Sequence, residues 1–98
     1  MQEKMRKELS MLFSSAKDKA ELEILIQGLL TPQEIEEITF RLRLLNRLLK
    51  KQTQREISRD LGVSLGKIAR GSRLLKYDLP RLGEFLERYE KTKKDRAE

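Results

Sequence analysis

The chain has no cysteine, no histidine, no tryptophan and only two prolines among its 98 residues. Without thiols or imidazoles there can be no disulfide, no thiolate zinc centre and no histidine-based catalysis. Carboxylates remain as possible metal ligands, but no Asp/Glu cluster has a recognisable loop spacing, so no metal site is expected. No nucleophile–base pair or cofactor motif is present either, which argues against an enzyme. No apolar run approaches the roughly 18–20 residues needed to span a bilayer. The opening Met1-Gln2-Glu3-Lys4 lacks the apolar core of a signal peptide. A soluble, cytoplasmic protein without a membrane partner is therefore expected. Apolar residues make up 38% and aromatics 5% of the chain, so a monomer of this length would have a thin core. Small helical chains often meet that deficit by pairing, and a single domain (1–98) acting as a homodimer is the expectation.

What is present reads as helix throughout. No stretch alternates with period two, so the fold class is all-α. A first helix is predicted over 3–15, with Met5, Leu9, Leu12 and Phe13 on one face. Asp18 is a suitable N-cap for a second helix that turns Leu22, Leu25, Ile26 and Leu29 inward, with Gly28 near its end. Thr31-Pro32-Gln33-Glu34 combines a threonine cap, proline at the first helical position and glutamate at the third. The helix that follows repeats Ile35, Ile38, Leu42, Leu45 and Leu49, and Leu44 and Leu48 widen that stripe toward a second neighbour. Arg43 and Arg47 lie off the stripe and read as solvated surface. Thr53-Gln54-Arg55-Glu56 repeats the capping box and opens a short helix to about Leu61; Ser64 caps another over about 65–76. A last helix from Asp78 or Pro80 buries Leu82, Phe85, Leu86 and Tyr89, and the polar tail 91–98 is expected to fray.

Charge is distributed unevenly. Residues 1–49 carry eight basic and eight acidic side chains, and residues 77–98 carry six of each. Residues 50–76 carry eight basic against two acidic side chains, which is the whole net charge of +6. A basic segment on a balanced protein is the footprint of a phosphate-backbone binder.

The same segment has the spacing of a helix-turn-helix at 54–76. Ile57 and Leu61 face inward from its first helix, Gly62 supplies the positive φ of the turn, and Val63 plugs the corner. Leu65 and Ile68 face back from the second helix, and the small Ser58 lies where the helices approach. In that geometry the second helix enters the major groove by its amino end, bringing Ser64, Gly66, Lys67 and Arg70 toward the bases. Gln54, Arg55, Arg59 and Lys76 flank the pair and suit phosphates. Gly66 permits close approach without reading a base. Gly71 is unusual inside a helix, where glycine costs about 1 kcal/mol relative to alanine. Either tight helix packing or a ligand against the bare helix face would offset that.

Leu30-Thr31-Pro32-x-Glu34, Arg41-x-Arg43, Leu48-Leu49, Gln54-Arg55-Glu56, Leu61-Gly62 and Arg70-Gly71-Ser72-x-x-Leu75-Lys76 together resemble the bacterial tryptophan repressor family. The resemblance holds in one register over roughly residues 8–90, with one residue missing near Lys51–Gln52. It implies a six-helix Trp-repressor-like fold in an intertwined homodimer. Residues 3–50 would form the dimerisation body, 54–76 the DNA-reading head and 78–90 a C-terminal dimerisation helix. The partner implied is a palindromic double-stranded operator of tryptophan-related genes. The ligand implied is L-tryptophan, a corepressor rather than a cofactor. By position, Arg41 and Arg70 would sandwich the indole, with Arg70 pairing the carboxylate. The carbonyls of Gly28 and Leu30 and the Thr31 hydroxyl would receive the ammonium, and Gly71 would leave room. A zwitterionic amino acid does need a cation, acceptors and planar surfaces of this kind.

Three positions depart from the family's pattern. Leu74 stands where a serine helps receive the ligand's amino group, and Lys67 and Ala69 replace threonines at the DNA-facing start of the recognition helix. A regulator of the same fold with a different ligand or none is the alternative function. A helical adaptor for an acidic protein partner is a third, from another class.

Overall fold

A computed structural model describes residues 1–96 of the chain, with side chains through Lys94. Among the described residues there are six α-helices and no strand. They are α1 (Gln2–Ser14), α2 (Lys19–Leu29), α3 (Pro32–Leu49), α4 (Gln54–Leu61), α5 (Leu65–Arg73) and α6 (Pro80–Arg96). A π-helical segment, Leu74–Asp78, continues α5. The chain divides into two units, Met1–Glu37 and Ile38 onward, with the boundary inside α3.

Local chemistry sets the helix starts. The Asp18 carboxylate accepts the Glu21 amide at 2.9 Å, and Glu21 in return accepts the Lys17 amide at 2.9 Å. Thr31 and Glu34 form a reciprocal box, the Thr31 amide donating at 2.9 Å and the Glu34 amide at 3.1 Å. Each box satisfies two amides that a helix start would otherwise leave unpaired. Gly28 does not end α2, as its place in the sequence suggested: the helix runs to Leu29 and its cap, Leu30, is extended. The stop comes instead from Thr31-Pro32, because the ring of Pro32 pushes the preceding residue out of the helical region.

In the first unit α1 and α2 are amphipathic, yet neither buries a single side chain. Met5, Leu9 and Leu12 on α1, and Leu22, Ile26 and Leu29 on α2, all remain exposed.

The second unit has the core. Leu44 and Leu45 of α3, Ile57 of α4, Ile68 of α5 and Leu86 of α6 are buried together, and Leu42, Leu48, Leu49, Leu61, Val63, Leu74, Leu75 and Leu82 pack against them. Ile57 and Ile68 are fully buried, which stabilises by about 1.5–3 kcal/mol each.

α3 ends in a tight left-handed corner. Lys51 has φ 62°, and the Lys51 amide donates to the Leu48 carbonyl at 3.0 Å while that of Gln52 reaches Arg47 at 3.2 Å. This is the Schellman pattern, with lysine at the place glycine usually takes. At the other end of the unit the Leu79 amide donates to the Leu74 carbonyl at 2.8 Å, five residues back. That wider turn lets two consecutive leucines, Leu74 and Leu75, both pack on the core, which ordinary helical spacing does not favour.

α6 departs from expectation in two respects. It turns Leu82 and Leu86 inward, but Phe85 and Tyr89 lie on the neighbouring stripe and stay half-exposed. The Arg88 and Arg81 guanidinium groups sit over the Phe85 ring at 4.6 and 5.9 Å. The helix also continues to Arg96, past the end expected at 90, with the Thr92 hydroxyl donating to the Arg88 carbonyl at 3.0 Å. Residues 97 and 98 of the expected frayed tail lie outside the described residues.

Candidate nucleic-acid interface

The site is built on α4 and α5. α4 starts from a full capping box: the Glu56 amide donates to the Thr53 hydroxyl and the Thr53 amide to the Glu56 carboxylate, both at 3.1 Å. That box uses the amides of Thr53 and Glu56. Those of Gln54 and Arg55, the first two helical residues, point from the amino end, where the helix dipole favours an anion. α4 ends at Gly62, whose φ of 67° and ψ of 27° are left-handed, a conformation glycine adopts without steric penalty. The Ser58 hydroxyl then donates to the Val63 carbonyl at 2.7 Å and closes the turn. Ser64 caps α5 by accepting the Lys67 amide at 3.2 Å. This cap leaves the Leu65 and Gly66 amides at the tip of the second helix.

Ile57 and Ile68 face one another across the pair as the spacing requires, and Val63 fills the corner half-buried. Leu65 does not face back: it is 52% exposed. It is the first residue of α5, and Ile68, one turn later, takes the inward position instead.

Gln54, Arg55, Arg59, Ser64, Gly66, Lys67, Ala69, Arg70 and Lys76 are all exposed. Between Leu61 and Tyr77 there is no acidic residue, so the exposed charges from α5 to Lys76 are all basic, Lys67, Arg70, Arg73 and Lys76, and the first acid after them is Asp78 at the end of the π segment. The acidic Asp60 is held to one side. Its carboxylate pairs with Arg59 Nε at 3.0 Å and Arg47 Nη1 at 2.8 Å. The Arg59 hydrogen bond, with help from Arg47, holds the Asp60 carboxyl below the usual carboxylate range. Arg59 thus spends part of its hydrogen-bonding capacity on its neighbour.

The two glycines of α5 separate cleanly. A Cβ on Gly66 would meet only Ser64 Oγ, at 3.9 Å, so the fold does not require its bareness. A Cβ on Gly71 would meet Leu44 Cδ2 at 2.7 Å and Leu45 and Leu48 at 3.3 Å. Of the two explanations for Gly71, packing against α3 accounts for it.

The residues suggested for an amino-acid ligand fall in both units. In the first, Gly28 and exposed Thr31 flank half-buried Leu30 at the end of α2. In the second, exposed Arg41 lies one turn before Leu44 and Leu45 on α3, and exposed Arg70 precedes Gly71, which packs on those leucines.

The profile of one family, described as Trp repressor protein, matches residues 4–90. The chain belongs to the Trp repressor family. It is 46% identical over 66 residues to a Trp operon repressor homolog of Vibrio campbellii, a match covering 66% of this chain and 66% of that protein. The homolog of Vibrio parahaemolyticus is also 46% identical over 66 residues, covering 66% of this chain and 64% of the relative. That of Mannheimia succiniciproducens is 41% identical over 66 residues, covering 66% and 65%. The chain thus spans just under two thirds of the length of these relatives. No solved structure gives a significant match. The family match extends well beyond the helix-turn-helix, over both units, and agrees with an all-helical fold.

Sequence reasoning missed Arg47. Set aside as solvated surface, it joins α3 to α4 through Asp60 and also approaches Gln52 Oε1 at 3.4 Å. The signal was Asp60, the acid of the basic segment that the capping box does not use; its partner lies thirteen residues away, beyond any local pattern. Arg43, by contrast, is exposed as expected, 5.5 Å from the Phe40 ring centre.

Proposed function

We propose that the chain is a DNA-binding transcriptional repressor that acts as a cytoplasmic homodimer, is gated by L-tryptophan and recognises a palindromic operator of tryptophan-related genes. The observation that carries this is the capped helix pair, with an exposed, acid-free basic side along α5, in a chain of the Trp repressor family. The amino end of α5 enters the major groove. Ser64, Gly66, Lys67 and Ala69 approach the base edges, and Gly66 lets the helix backbone come close. Gln54, Arg55, Arg59 and Lys76 take the flanking phosphates, assisted by the free amides at the start of α4.

The dimer follows from the first unit. The uncovered apolar stripes of α1 and α2 have no counterpart in a soluble monomer's economy of exposed surface, and a second copy supplies the same stripes in return. L-tryptophan would be held by Arg41 and Arg70 about the indole, with Arg70 on its carboxylate. Gly28, Leu30 and Thr31 would serve the ammonium. Gly71 would contribute by seating α5 on α3, which sets where Arg70 projects.

Leu74 favours a second reading, a regulator with another ligand or none. It stands where the family resemblance leads to serine, and its side chain packs on the core, so one polar partner for the ammonium is gone.

The deciding experiment is a gel shift on a duplex enriched from a random pool by the chain itself, with and without L-tryptophan. Tryptophan should tighten binding, and Arg70→Ala should lose that response while sedimenting as the wild type does. Equal binding with and without tryptophan, together with no heat in calorimetry, would leave the second reading. If about six phosphates are neutralised per half-site, log K falls with log salt at a slope of about −5 per half-site. A slope near zero removes DNA binding altogether. Lys67→Ala should change the preferred sequence; an equal loss on every sequence would make Lys67 a phosphate contact only.

A further inference from the structure

We propose that Arg47 is a positioning residue that fixes the angle of the reading head on α3 and so sets the half-site spacing the protein accepts. The inference rests on the two-headed DNA-binding reading above. Arg47 lies in the last turn of α3 and Asp60 in the last turn of α4, on opposite sides of the corner at 50–53. One guanidinium nitrogen, Nη1, contacts both Asp60 Oδ2 at 2.8 Å and Gln52 Oε1 at 3.4 Å. The other carboxylate oxygen of Asp60 accepts Arg59 Nε at 3.0 Å. Among the described residues, Arg47–Asp60 is the ion pair that joins two different helices.

The contacts that hold the head down, Ile57 and Ile68 against the leucines of α3, are apolar. Apolar attraction has no preferred direction, so it opposes lifting of the head more than rotation about α3. A charge-assisted hydrogen bond is directional. At 33% and 36% side-chain exposure the pair is too wet to add much stability, so its effect is geometric. It also spans the corner where Lys51 takes a left-handed conformation. Arg47 is the group that ties the two sides of that corner, through Gln52 within it and Asp60 beyond it.

The test uses the full chain and the duplex enriched from a random pool by the wild type, together with duplexes whose half-sites are one base pair closer or farther apart. Circular dichroism and sedimentation monitor fold and assembly. Arg47→Ala should bind the enriched duplex about three- to fivefold more weakly, the scale of a half-exposed pair, and the preference for the original spacing should shrink by the same factor. Asp60→Asn, which keeps shape and some hydrogen bonding, should move both in the same direction by less. The swap Arg47→Glu with Asp60→Arg should recover the spacing preference. A purely structural role would weaken all three spacings equally and would not be rescued by the swap; either result overturns the proposal. Unchanged spacing preference in both single variants does so too, while DNA binding stands. If the wild type enriches no duplex at all, the DNA-binding reading fails and the positioning role falls with it.

Discussion

From Ile38 onward the chain carries 17 basic against eight acidic residues and buries five apolar side chains in a shared core. Before it, five basic face eight acidic residues, and the first two helices bury nothing. Both regions form amphipathic helices and start some of them from side-chain caps, at Asp18 and Thr31 in the first and Thr53 and Ser64 in the second, so the contrast does not lie in helix formation. It lies in what each helix finds to cover its apolar face. α4, α5 and α6 find one another and α3. α1 and α2 keep an apolar stripe that nothing within their unit covers, and a second copy is the partner we propose. The charge follows the same division: the proposed DNA recognition falls to the unit with the buried core, and the proposed association to the unit whose first two helices bury nothing.

The comparison can be broken at several points. The largest effect should come from Ile68→Ala, which empties a fully buried site in the second unit; about 3–4 kcal/mol should be lost in urea unfolding. A loss under 1 kcal/mol would mean the head has no rigid core. In the first unit, Leu9→Glu with Leu22→Glu should weaken self-association by about two orders of magnitude in sedimentation equilibrium. Unaltered association would place the dimer contact elsewhere.

The two glycines of α5 give a sharper pair. Gly71→Ala should destabilise by about 1–3 kcal/mol, since its Cβ enters the space of Leu44. Gly66→Ala should be neutral or gain up to about 1 kcal/mol in thermal unfolding, because the site is open, while weakening DNA binding. Equal effects on stability would refute the assignment of Gly71 to packing. At the corner, Lys51→Gly should stabilise by about 1 kcal/mol by relieving the left-handed lysine.

The smallest effect should be electrostatic. The folded-state pKa of Asp60 lies below its ordinary 3.8, so the pair's contribution is fully present above that value and is lost as pH falls through the depressed folded one. The stability difference between wild type and Asp60→Asn should therefore close only in strong acid. A difference that closes near neutral pH would point to another group.

Much of this was legible before any coordinates. Asp18, Thr31, Thr53 and Ser64 start their helices as their side chains suggest, and Gly62 takes the left-handed turn. These features depend on hydrogen bonds and backbone preferences within three or four residues, which a sequence displays directly. Leu65, Phe85 and Tyr89 were misplaced because each lies next to an apolar residue better aligned with the core, Ile68, Leu82 or Leu86. Helical periodicity gives a face only to within a residue. The π segment escaped notice for a related reason: Leu74-Leu75 reads as an ordinary apolar pair until both must reach the same core.

By itself, then, the sequence determined the helices, their caps, the turn at Gly62 and the concentration of positive charge at 50–76, all through short-range chemistry and composition. Only the tertiary structure decided why Gly71 is glycine, that Leu74 belongs to the core and that Arg47 holds Asp60 across the corner. Each of those depends on atoms brought together from helices distant in sequence, with a separation or a clash that no local pattern encodes.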